Sequence, residues 1–167
     1  PVFVEIKGKA QKQTIKKRCP VPRDDLKLIL STRCQTAIDW IGSMEDASAF
    51  KQFMQEVNNL RAEPKLHVAY RREAYVSGNN NSIRVTFDRD VRAEPVNGLR
   101  LTTRMEEPKL LCSGEVVIEI KTIGTPPAWL NALVKDTDLD SRRFTKYVSG
   151  IEQHGLNRGI GTRFAGL

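Results

Sequence analysis

The chain is short of several things. No apolar run approaches the ~20 residues that a membrane-spanning helix needs, and the first residues, Pro1-Val-Phe-Val-Glu-Ile-Lys7, show no basic leader followed by an apolar stretch, so no signal peptide is expected. There is no Gly-rich phosphate loop of the GxxxxGK[ST] or GxGxxG type. Cysteine is sparse: Cys19, Cys34 and Cys112 make an odd count without a CxxC pair. That pattern excludes a disulfide framework and fits reduced, structural thiols in a reducing, cytoplasmic setting. No Cys/His cluster suggests zinc. Only His67 and His154 could act as base to a cysteine, and no spacing links them to one or builds a Ser-His-Asp triad. Aromatics are only 7% of the chain. They fall mostly on apolar faces rather than between basic residues, which argues against a stacking platform for nucleic acid.

What remains is an ordinary globular composition with a basic excess. The 167 residues are 40% hydrophobic and 28% charged, enough for one domain with a core and too apolar for wholesale disorder. The net charge of +7 favours anionic partners, although many soluble proteins are mildly basic.

The informative feature is alternation. Val2–Lys9, Ser82–Asp90 and Glu115–Lys121 alternate apolar with ionic residues. Successive side chains of a strand point to opposite faces, so each stretch has a greasy side and an ionic side. Phe3, Glu5, Lys7 and Lys9 oppose Val2, Val4 and Ile6, while Thr14, Lys16 and Arg18 oppose Ile15. Ser82, Arg84, Thr86, Asp88 and Asp90 oppose Ile83, Val85, Phe87 and Val91. Glu115, Glu119 and Lys121 oppose Val116, Ile118 and Ile120. In Leu66–Val76, Arg71 and Arg72 are adjacent, so only one of them shares a side with Arg84, and periodicity leaves that choice open.

Strands are expected at 2–8 and 13–18, with Pro20-Val-Pro22 breaking the second. Helices are expected at Arg23–Leu30 and Asp46–Leu60, the latter with Ala47, Phe50, Met54 and Val57 at spacings of three or four. A hairpin, 66–76 and 82–92, turns at Ser77-Gly-Asn-Asn-Asn-Ser82. Short extended pieces around Pro108 precede a strand at 115–121. A helix over 128–134, opened by Thr125 and the prolines, and another over 141–152 follow. The tail from 156 to 167 is expected to be flexible. The order reads as α+β with a largely antiparallel sheet.

Two accounts of the ionic sides then compete. In one they meet solvent while helices cover the apolar side. In the other, clustered Lys and Arg clasp phosphate oxygens, and a glutamate beside them offers a hard oxygen ligand to Mg²⁺ or Mn²⁺. Cations plus a metal around a triphosphate is the arrangement that phosphoryl transfer requires.

Val2-Phe-Val-Glu-Ile-Lys7, Thr14-Ile-Lys-Lys-Arg18, Tyr70-Arg-Arg-Glu-Ala-Tyr75, Ile83–Arg92, Val117-Ile-Glu-Ile-Lys121, Pro127-Ala-Trp-Leu130 and Phe144-Thr-Lys-Tyr147 occur in that order. As an ordered set they resemble the vacuolar transporter chaperone (VTC) domain, the polyphosphate polymerase branch of the triphosphate tunnel metalloenzymes. The resemblance implies an antiparallel barrel forming a tunnel over residues 1–155, with helices outside it and a helical insertion at about 23–61. It implies ATP or triphosphate and polyphosphate as ligands, and transfer of the γ-phosphate to a polyphosphate chain. Lys7 and Lys16 match phosphate-binding lysines, and Arg72 and Arg84 match phosphate-binding arginines. Arg72, Arg84 and Lys16 are the expected catalytic cations. Glu119 matches the glutamate that holds Mn²⁺ or Mg²⁺. Lys146 matches a lysine at one tunnel mouth, and Arg18 and Lys121 are further expected lining residues. Family members carry an additional N-terminal portion with a basic Arg-x-Arg strand, which nothing here matches. The resemblance therefore implies a fragment, or a tunnel open on one side. A triphosphatase and a non-catalytic polyphosphate or inositol-phosphate module are the alternatives.

Overall fold

A computed structural model describes residues 1–10, 13–32, 42–78, 82–137, 139 and 144–157. Cys34, the expected helix start at 141–143 and the tail beyond 157 lie outside these residues. The fold is α+β with antiparallel pairing throughout. Among the described residues the strands form one two-stranded and one four-stranded sheet, without closing into a barrel. No helix among them is long and apolar enough to cross a membrane. The chain divides into two compact units: Pro1–Pro64 with Asn97–Leu101, and Lys65–Val96 with Thr102–Leu167.

In the first unit, β1 (Val2–Ala10) pairs with β2 (Gln13–Val21), placing Lys7 opposite Lys16 and Glu5 opposite Arg18. The apolar side supplies Val4, Cys19 and Val21 to a core completed by helix α1 (Arg23–Thr32) through Leu26 and Ile29, and by helix α2 (Met44–Asn59) through Ala49, Phe50 and Met54. Phe50 and Met54 are one helical turn apart and fully buried, each contributing roughly 1.5–3 kcal/mol. α2 starts two residues before its expected Asp46. Ser43 caps it: the Asp46 N–H donates to Ser43 Oγ at 3.0 Å, and that hydroxyl donates to Asp46 Oδ2 at 2.8 Å. The expected break at Pro20 does not occur, for Phe3 pairs with Pro20 and Val2 with Val21. Both strands of a two-stranded ladder are edges, and an edge tolerates a missing N–H. Burial of the Cys19 thiol pushes its pKa up, leaving it an inert structural group.

The second unit is built on β4 (Ile83–Pro95), which pairs with β3 (Leu66–Val76), β5 (Lys109–Leu110) and β6 (Val117–Thr122). Only Lys109–Leu110 of the extended pieces expected around Pro108 joins the sheet. Between Ala69/Arg92 and Arg71/Arg89 the register shifts, and Asp90 adopts a left-handed backbone (φ 50°). This bulge changes which residues of β4 share a side. Arg84, Thr86 and Asp88 continue into Val91 and Ala93, not into Asp90. Val91 was expected on the opposite side, yet it is fully buried on this one, while Asp90 pairs with Arg71. One face of this sheet thus has an ionic end and an apolar end.

Helix α3 (Ala128–Asp136) is preceded by Pro127 and has no side-chain cap, so Thr125 does not open it. Helix α4 (Lys146–Gln153) is shorter than expected. It lies on the face that carries Asp88 and Ala93, not on the Ile83–Val85–Phe87 side where helices were expected. Lys146 in its first turn reaches Asp88, and Gly150 rests on Leu66 and Ala93. His154 Nε2 lies 3.0 Å from the Ala93 carbonyl. Gly150 is an internal contact residue: a Cβ would meet Leu66 Cδ2 at 2.4 Å and Ala93 Cβ at 3.2 Å. Replacing Gly150 by Val is expected to lower stability by about 1–3 kcal/mol through overpacking, measurable as a reduced denaturation midpoint in urea.

Candidate functional site: an ionic sheet face capped by a lysine

The strand pairing assembles the site in the second unit. Arg72 lies opposite Asp88, Asp88 opposite Val117, Thr86 opposite Glu119, and Arg84 opposite Lys121. Paired residues of an antiparallel ladder point the same way, so Arg72, Arg84, Thr86, Asp88, Glu119 and Lys121 occupy one face. This puts Arg72, not Arg71, beside Arg84. Arg71 turns to the other side with Arg89, where Arg89 Nε donates to Glu73 at 3.1 Å.

Asp88 is the centre of this face. It is 0% exposed although it belongs to the ionic side of the strand. Arg72 donates to both of its oxygens, Nε to Oδ1 at 2.6 Å and Nη2 to Oδ2 at 2.7 Å. Lys146 Nζ stands 2.6 Å from Oδ2. The Tyr70 ring supports both cations, 5.0 Å from the Arg72 guanidinium carbon and 4.9 Å from Lys146 Nζ. A buried charge is tolerated when its lone pairs are filled in this way. The hydrogen bonds from Arg72, then from Lys146, hold the Asp88 carboxyl below the usual range against the opposing effect of burial, and Asp88 in turn raises Arg72.

The other groups are less committed. Glu119 Oε1 is 3.0 Å from Lys121 Nζ, and its Oε2 is 3.8 Å from Arg72. Arg84 makes no ion pair among the described residues, and it stands directly across the ladder from a second cation, Lys121. Like charges in that position repel. Thr86 is 2% exposed, and its Oγ1 is buried without a hydrogen-bond partner. An unfilled buried hydroxyl costs roughly 1–3 kcal/mol. Cations thus outnumber carboxylates on this face, Arg72, Arg84, Lys121 and Lys146 against Asp88 and Glu119.

The first unit carries the remaining expected cations on the ionic side of β1–β2. Glu5 lies between Lys16 at 2.7 Å and Lys7 at 3.3 Å, and Arg18 stacks 4.8 Å above the Phe3 ring. Partial burial raises the Glu5 pKa, but the bonds from Lys16 and Lys7 outweigh it, so the carboxyl sits below its usual range. Lys16, Lys17 and Arg18 also border a groove whose opposite wall includes Glu45 and Asp46 of α2. Those carboxylates make the groove a poor seat for a polyanion.

No group of three or more His, Cys, Asp or Glu able to hold a metal occurs among the described residues. Both oxygens of Asp88 are occupied by cations. Glu119 is a half-exposed carboxylate on the face, its oxygens 3.0 Å from Lys121 and 3.8 Å from Arg72. It is the residue of this face that could offer an oxygen to Mg²⁺ or Mn²⁺, and a single carboxylate would hold such an ion only together with oxygens of a bound phosphate.

A family model described as the VTC domain matches residues 1–154. The chain belongs to the VTC domain family. No curated protein matches it.

The sequence singled out none of Asp88, Thr86 and Tyr70 as members of this ionic cluster. Asp88 and Thr86 were on the expected ionic side, but alternation cannot distinguish a solvated carboxylate from one gripped by two cations. Tyr70 stood in the quoted Tyr-Arg-Arg motif, and the helix that brings Lys146 above it was the missing information.

Because the folded-state pKa of Asp88 is depressed, its contribution to stability is present above the unfolded value of about 3.9 and lost as pH falls through the folded one. The expected result is a stability plateau from pH 7 to about 5 and a loss below about pH 4. Asp88→Asn should shrink that acid-dependent loss, as measured by urea unfolding at successive pH values.

Proposed function

We propose that this VTC chain binds condensed phosphate, the triphosphate of ATP or the end of a polyphosphate chain, on its ionic strand faces. The complete protein would act as a polyphosphate polymerase. The observation that carries the proposal is the ionic face of β3, β4 and β6, where Arg72, Arg84, Lys121 and Lys146 outnumber Asp88 and Glu119 and one buried hydroxyl has no partner. A row of phosphates offers oxygens to each of these groups. It would relieve the repulsion between Arg84 and Lys121. Lys7, Lys16 and Arg18 supply phosphate contacts from the ionic side of β1–β2. The tunnel fold implied by the resemblance belongs to this proposal.

In the polymerase reading, an oxygen of the acceptor's terminal phosphate attacks the γ-phosphorus of ATP, the bond to the β,γ-bridging oxygen breaks, and ADP leaves. The chain needs no nucleophile of its own. Arg72 and Arg84 orient the equatorial oxygens and balance their charge, and Lys146 guides the chain beside Arg72. A Mn²⁺ or Mg²⁺ ion on Glu119 would add charge neutralisation at the phosphates. A cytoplasmic setting is part of the same proposal.

Calorimetry with tripolyphosphate tests binding. Arg72→Ala or Arg84→Ala should each weaken it about tenfold or more, since a charge-assisted hydrogen bond is worth roughly 1.5–3 kcal/mol. Glu119→Gln should abolish the enhancement of binding by Mn²⁺ while leaving metal-free binding intact. With ATP and Mn²⁺, the complete protein should make long-chain polyphosphate. Phosphate release without polymer would favour a triphosphatase, and binding without turnover would favour a non-catalytic module. Undiminished binding in both arginine variants would overturn the assignment of this face.

A further inference from the structure

We infer that Asp88 is a positioning residue that makes the ionic face selective for condensed phosphate over other anions. This inference rests on the phosphate-binding reading of that face and extends it to a residue that contacts no ligand.

A carboxylate under the cations of an anion site looks counterproductive, because it cancels part of the attraction. Its geometry explains what it does. Asp88 takes the Nε and Nη2 edge of Arg72, and among the described residues the two N–H groups of Nη1 remain uncommitted. It takes one contact from Lys146 Nζ, a nitrogen that also stands 4.9 Å from the Tyr70 ring centroid and 5.8 Å from that of Phe144. Two long side chains that could otherwise sample many rotamers are thereby fixed relative to each other. The anchor itself is fully buried on the central strand, which is paired on both sides. Flexible cations attract any anion according to charge. Cations fixed at one spacing favour the anion whose oxygens repeat at that spacing, and ordering them beforehand lowers the entropy lost on binding.

Charge and position have opposite consequences, which makes the inference testable. Asp88→Asn adds one positive charge to the face but releases Arg72 and Lys146. Affinities for tripolyphosphate and for citrate are measured by calorimetry at matched ionic strength, in the full chain and in Asp88→Asn. The expected result is that citrate binding is unchanged or tightened, while the preference for tripolyphosphate falls about tenfold. Loss of a brace that only supports the fold would lower both affinities together and leave their ratio in place. A fall in that ratio of less than threefold overturns the inference.

Circular dichroism reports whether Asp88→Asn folds. If it does not, Asp88→Glu is measured instead, since it keeps the charge and displaces the anchor by one methylene. The same fall in preference is expected, and a wild-type ratio overturns the inference. In the wild-type chain, the ¹⁵N-resolved Arg72 Nε–H signal should persist when tripolyphosphate is added, because Asp88 keeps that edge. Its displacement overturns the inference without any variant. A wild-type chain with no preference for tripolyphosphate over citrate overturns the phosphate-binding reading, and this inference with it. A preference that survives in the Asp88 variants leaves that reading standing and removes Asp88 alone.

Discussion

A single buried carboxylate organises the second unit. Asp88 sits at the middle of the central strand, sealed from water, with a guanidinium on one side and the first lysine of the last helix on the other. Three pieces of chain distant in sequence meet there: β3 through Arg72, β4 through Asp88 and α4 through Lys146. Charge pairing of this kind adds little net stability over apolar packing, but it is expensive to half-dismantle. It therefore fixes a geometry more than it strengthens a fold.

The same contact explains why a helix can begin with a lysine. A cation in the first turn opposes the helix macrodipole. Here the nearby aspartate neutralises it, and about one turn of helix further on Gly150 settles onto Leu66 and Ala93. Apolar packing at one end of the face holds the helix down, and ionic contact at the other end locates its tip. The apolar side of β1–β2 follows a simpler rule, with α1 and α2 closing over Val4, Cys19 and Val21.

Much of this arrangement was legible beforehand. The alternating stretches gave the strands and their two sides, and the Ser77–Ser82 turn gave the hairpin. Pro20 misled because a proline breaks a central strand but not an edge. The Asp90 bulge misled because alternation counts residues, and one extra residue reverses the count for everything beyond it. Val91 was therefore assigned to the wrong side. The choice between Arg71 and Arg72 needed a cross-strand partner, and the pairing of Arg72 with Asp88 supplied it. Family membership over residues 1–154 agrees with the ordered motifs. No sequence pattern, however, could have shown that Asp88 is sealed and Glu119 half-exposed, since that difference depends on where a helix lands.

The bulge at Asp90 works like a gear change in the long central strand. On one flank the even-numbered side chains look toward α4, and on the other the odd-numbered ones do. Chemistry and packing can thus share one continuous ribbon while drawing on different alphabets. Straightening the strand at its present length would roll one half over relative to the other, setting the greasy anchors and the charged row on opposite sides, whereas removing the extra residue would leave them together. The left-handed backbone at Asp90 is therefore what reconciles this stretch's length with its two rows.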